Sequence, residues 1–152
     1  MKYLLAIYLL FTVSHNVAAD TAIKLFHADH FQQILAQYSK QAFVLVLWSL
    51  DCPPCYKELA LLGRERKQHS YNLVLISTDG AESIDEVAAV LKNNGLQGAD
   101  NWLFSELGSA PLRYQIDPLW YGELPRSYLY TSDHQRTAIS GVLTSTQLSS
   151  YK

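Results

Sequence analysis

Only two cysteines occur in the 152 residues, Cys52 and Cys55, and both lie in the stretch LWSLDCPPCYKEL. A structural disulfide gains most from closing a long loop, and a bond between these two would close almost none. The pair therefore points to thiol chemistry or to half of a metal site. Cys52 follows an apolar run and opens a helical segment. Free N–H groups and the helix dipole at such a position stabilise a thiolate. Cys55 falls one turn further along, on the same side, and Pro53 and Pro54 stiffen the turn between them. C-x-x-C beside a strand–helix–strand pattern reads as a dithiol/disulfide redox site. Zinc would need more ligands. The chain has no second C-x-x-C, and its five histidines lack zinc-finger spacing, although His30 and His134 remain candidates after folding.

The elements that must position this pair are legible as periodicities. Residues 28–39 place Phe31, Ile34, Leu35 and Tyr38 at helical spacing, with Asp29 as the cap. The run AFVLVLW, residues 42–48, reads as a strand buried on both faces. Residues 53–68 continue as a helix whose prolines sit in the tolerant first turn. NLVLIST, residues 72–78, is a second buried strand. Strand, helix and strand in about 35 residues make a βαβ unit with parallel strands. A helix from Ser83 stops at Gly95. A short strand at 101–104 and a short helix at 107–116 follow. Strands at 127–131 and 136–141 form a hairpin, and a last helix covers 144–151. The order predicts an α/β sandwich, a central mixed sheet with helices on both faces.

Apolar residues make up 49% and charged residues 17%, an ordinary globular balance, and the formal net charge is −2. Neither this charge nor any basic run offers a surface for nucleic acid. The first residues read as an export signal. Met1-Lys2 is a positive start, residues 3–13 are an apolar run, and Val17-Ala18-Ala19 supplies small residues for cleavage before Asp20. The run is shorter than the ~20 apolar residues of a membrane span. The expected organisation is a signal peptide over 1–19 and one domain over 20–152, working outside the cytoplasm in an oxidising space.

The segment WSLDCPPC followed by Glu58-Leu59 resembles the active site of exported thioredoxin-like proteins of the TlpA/ResA group. Leu124-Pro125 before SYLY extends the likeness, and the element order carries it over nearly all of the mature chain. The resemblance implies a thioredoxin-like sandwich with a cis peptide at Leu124–Pro125 facing the cysteines. The exposed backbone of Leu124 would then pair with an extended segment of a partner. Spacing alone makes Glu58 a solvated neighbour of Lys57. The resemblance instead implies a partly buried glutamate that tunes the thiols, with burial raising its pKa. Asp51 departs from the group, which usually has tryptophan before the first cysteine. A carboxylate there opposes the thiolate and leans the site toward reduction. The aromatic residues Trp102, Phe104, Tyr114, Trp120 and Tyr121 read mainly as core. Trp120 and Tyr121, in the loop DPLWYGE, are also candidates for a partner-docking surface.

The expected function is thiol–disulfide exchange on protein disulfides, with Cys52 attacking and Cys55 resolving, and with no metal or organic cofactor. By resemblance, electrons would come from a membrane-embedded thiol carrier and substrates would include apocytochromes. The protein is expected to act as a monomer. Two alternatives stay open: a disulfide-donating oxidase of the same fold, and a metallochaperone or binding module that uses the two thiolates as ligands.

Overall fold

The structure, a computed structural model, describes residues 22–149 and 151. The expected signal peptide over 1–19 lies outside them. Six strands form one sheet: β1 (Lys24–Phe26), β2 (Phe43–Trp48), β3 (Asn72–Ser77), β4 (Asp100–Phe104), β5 (Arg126–Tyr130) and β6 (Arg136–Ser140). Their spatial order is β1-β4-β3-β2-β5-β6. The first four in that order are parallel to one another, whereas β5 runs antiparallel to β2, and β6 to β5. The helices are α1 (His30–Gln37), α2 (Pro53–Gln68), α3 (Ile84–Asn93), α4 (Ala110–Ile116) and α5 (Ser145–Ser149).

Strand β2 is buried at every position because its alternating side chains enter two separate cores. Val44, Val46 and Trp48 join Cys55, Leu59 and Leu62 of α2, Val87 and Leu91 of α3, and Leu148 of α5. Phe43, Leu45 and Leu47 join Phe31 and Ile34 of α1 and Leu112 and Ile116 of α4. The sheet is thus covered on both faces, as the uninterrupted apolar runs require. Each fully buried large side chain contributes about 1.5–3 kcal/mol relative to exposure.

The expected elements are all present, with shifted ends. The helix expected from Leu107 begins at Ala110, with Pro111 in its first turn, and Leu107 is exposed. Asp29 stands at the N-cap of α1 with helical backbone angles, and its side chain makes no capping bond. Helix α3 ends in a Schellman turn: Gly95 has φ +70°, its N–H reaches the Lys92 carbonyl, and the Leu96 N–H reaches that of Leu91. One element has no counterpart in the sequence-based order. The three residues of β1 form an edge strand only because β4 supplies the pairing partner.

Candidate active site

Strand β2 ends at Trp48, and four residues later Cys52 caps α2 in an extended conformation. Cys52 and Cys55 form a disulfide with their Cα atoms 5.3 Å apart. Cys55 is fully buried, whereas Cys52 is 8% exposed, so of the two only Cys52 reaches the surface. A cap side chain ordinarily receives N–H groups from the second and third helical residues. Pro53 and Pro54 fill the first two positions and have no N–H to give. The N–H of Cys55, at the third, is spent on the Cys52 carbonyl at 2.9 Å. In this disulfide-bonded form no first-turn amide donates to the Cys52 side chain, and the helix dipole remains.

One turn beyond Cys55, Glu58 is fully buried, more deeply than either sequence reading placed it. Its Oε1 accepts the Ser127 hydroxyl at 3.2 Å and its Oε2 accepts the Leu143 N–H at 2.7 Å. Burial pushes its carboxyl above the ordinary range, and those two hydrogen bonds pull the other way without prevailing.

The peptide bond Leu124–Pro125 is cis. Leu47 pairs with Arg126, so Pro125 stands level with Trp48, at the end of β2 from which the cysteine turn departs. Leu124 packs against both cores, including the one that holds the cysteines. The loop before it is anchored by Asp117, which is buried. Asp117 accepts the Tyr128 hydroxyl at 2.8 Å and the Leu119 N–H at 3.1 Å, and it pairs with Arg126 at 3.4 Å and Arg136 at 3.1 Å. Burial alone would raise the pKa of Asp117. The Leu119 N–H, Tyr128 and the two arginines outweigh burial and hold it below the usual carboxylate range.

No family model and no curated protein sequence matches the chain. Solved structures do resemble it. A secreted disulfide oxidoreductase from Mycobacterium tuberculosis, homologous to E. coli DsbE, aligns at 18% identity and TM-score 0.60, covering 76% of this chain and 83% of that one. StoA from Bacillus subtilis aligns at 24% identity and TM-score 0.54, over 74% and 83%. A thioredoxin-family thiol:disulfide interchange protein from Chlorobium tepidum TLS aligns at 14% identity and TM-score 0.57, over 77% and 81%. The chain has the thioredoxin fold.

Within that fold, Cys52, Cys55, Glu58, Leu124 and Pro125 gather at one end of the sheet, where β2 hands over to α2. The pair Trp120 and Tyr121 divides. Tyr121 is 90% exposed and free to meet a partner. Trp120 corrects the docking expectation: it is buried in the core beside α4, and its indole N–H is tied to the Glu123 carbonyl at 2.8 Å. Tyr114, expected in the core, is exposed on α4 because only Leu112 and Ile116 of that helix face inward. Asp51 is exposed in the turn, and its N–H donates to Ser49 Oγ at 3.1 Å. His134 packs against Phe43, at the far end of β2 from the cysteines, and His30 packs against Phe26 and Trp102 near the β1 edge. Among the described residues no group of three or more His, Cys, Asp or Glu could hold a metal ion. Sequence reasoning missed Asp79 and Ser49, which join beneath the cysteine turn. A signal for them existed in the two polar residues just past paired strands, but only the register of β2 on β3 brings them together.

Proposed function

We propose that the protein is an exported thiol–disulfide oxidoreductase that reduces protein disulfides. The observation that carries the reading is the Cys52–Cys55 disulfide, closed within the first turn of α2 at the same end of the sheet as the cis Leu124–Pro125 bond. In the reduced protein, the Cys52 thiolate attacks one sulfur of a substrate disulfide. That bond breaks, a substrate thiolate leaves, and a mixed disulfide forms. The buried Cys55 sulfur then attacks Cys52 as a thiolate, releases the second substrate thiolate and closes Cys52–Cys55. Two electrons pass to the substrate, and its two thiolates take up the protons. Glu58, one turn from Cys55, takes part as the group that holds or gives a proton during resolution, which its raised pKa suits. The backbone of Leu124 and the exposed ring of Tyr121 receive the substrate segment.

The missing N–H donors at the cap favour reduction over oxidation. A thiolate without them is a stronger donor of electrons, so the dithiol gives its electrons up more readily. Electrons must be resupplied by another thiol protein, for which a membrane-embedded thiol carrier is the proposed source. Apocytochrome cysteines are proposed among the substrates. Export is supported by the apolar start of the sequence and by the secreted neighbours in fold; among the described residues no helix is long and apolar enough to cross a membrane. Cys55→Ser should stall the reaction at the mixed disulfide and capture substrates through Cys52 in the native envelope; capture of nothing through Cys52 would overturn the reading. A reduction potential near thioredoxin's ~−270 mV supports the reductase, and one near ~−120 mV would make the protein an oxidant.

A further inference from the structure

The exchange chemistry leaves one buried carboxylate at this end of the sheet without a role. Asp79, just past β3, is 5% exposed. Its Oδ1 accepts the Ser49 hydroxyl at 3.1 Å, and its Oδ2 accepts the Leu50 N–H at 3.0 Å together with the Ser77 hydroxyl. Ser49 Oγ in turn accepts the Asp51 N–H at 3.1 Å, and the Ser49 carbonyl accepts the Cys52 N–H at 3.3 Å. The Tyr56 hydroxyl holds the Leu50 carbonyl from the other side at 3.0 Å. The N–H groups of Asp51 and Cys52 are therefore spent on Ser49 inside this turn, that of Leu50 on Asp79, and the chain of bonds leads back to Asp79. The base beneath it is rigid, because Trp48 pairs with Ser77 and the Thr78 N–H bonds to the Trp48 carbonyl at 2.9 Å. Three donors converge on two oxygens, a set that only a group accepting at both oxygens satisfies. All three donors are neutral, so none of them cancels a charge on the carboxylate.

We propose that Asp79 is a positioning residue for the exchange step: it holds Ser49 and Leu50 so that the turn presents Cys52, and it keeps a negative charge behind that turn. The proposal rests on the exchange reading above. The charge disfavours the Cys52 thiolate and so makes the dithiol more reducing. The brace fixes the direction from which Cys52 approaches a sulfur, and alignment of that kind governs rate.

The test uses the full chain and glutathione, so it needs no protein substrate. Cys52 attacks oxidised glutathione, one glutathione thiolate leaves, and Cys55 then displaces the other. The equilibrium constant and the rate are both read on the two cysteines, with circular dichroism as the check on folding. Asp79→Asn is expected to shift the equilibrium about tenfold toward the dithiol, which is about 30 mV for two electrons. Ser49→Ala keeps the charge but cuts the link to the Asp51 N–H, and it is expected to slow Cys52 attack severalfold with the equilibrium unmoved. A purely structural Asp79 would lower the melting temperature of the Asn variant and leave its equilibrium and rate at wild-type values, and that result overturns the proposal. Should Asp79→Asn fail to fold, Ser49→Ala decides alone: slowed attack supports the brace, and a wild-type rate overturns it. A wild-type protein inert toward glutathione would sink the exchange reading itself, whereas a reactive wild type with unaltered variants sinks only the role of Asp79.

Discussion

Glu58 is the residue whose burial has the clearest consequence for pH. Its folded pKa lies above the ordinary 4.5 because burial penalises the charged form. For such a group, the stabilising contribution is complete below the unfolded value and is lost as pH rises through the raised folded value. Glu58→Gln mimics the protonated form. Urea midpoints of the wild type and this variant should therefore converge near pH 4 and separate, with the variant ahead, as pH rises to about 8. Parallel curves would show that burial does not govern this carboxyl. Pro54 makes a second residue-scale case. Pro54→Ala restores an N–H at the second helical position, where it can reach the cap side chain. A hydrogen bond to a charged group is worth about 1.5–3 kcal/mol, so the glutathione equilibrium should move about tenfold or more toward the dithiol. An unmoved equilibrium would mean that the lost donor does not matter. The cysteines were legible from type and spacing alone. The depth of Glu58 was not, because its burial depends on Ser127 and Leu143, which lie 69 and 85 residues away in the chain. Asp79 was hidden for the same reason, its partners in the cysteine turn, Ser49 and Leu50, lying about 30 residues upstream.

At the scale of elements, the crossing of α2 and α3 depends on Gly63. A Cβ at this position would overlap the backbone carbonyl oxygen of Asn94, at the end of α3. In an open helix, glycine to alanine gains about 1 kcal/mol. Here the sign should reverse, with Gly63→Ala losing about 1–3 kcal/mol as the helices are forced apart. Urea denaturation distinguishes the two, and a gain in midpoint would show that α3 gives way freely. The same scale explains which elements the sequence revealed. Strands β2 and β3 have long apolar runs that suit burial on both faces, and α2 begins at Pro53 and ends at Gln68 as its pattern predicts. Strand β1 has three residues and no period of its own, so nothing local distinguishes it from a loop. Helix α4 starts late because Gly108, at φ +57°, takes the chain off the helical path, and the exposed Leu107 before it is misread by hydrophobicity alone.

For the whole molecule, two cores on either side of one sheet carry the fold, and the disulfide adds little to them. A ring spanning a sequence separation of 3 constrains the unfolded chain by only about 2 kcal/mol in the loop-entropy account. The reduced protein should therefore keep its circular dichroism, with its stability lower by no more than about that amount in urea titrations with and without dithiothreitol. Unfolding on reduction would make the bond a structural staple and would remove the basis for a cycle between two redox states. Leu124 draws these levels together, since it is wedged against the layers above and below the sheet. If Leu124 receives substrate as proposed, its main chain is a template already set before any guest arrives. The cost of becoming ordered then falls on the incoming polypeptide alone, so clients whose disulfide lies in an already extended, accessible segment should be received more readily than ones that must order that segment on arrival.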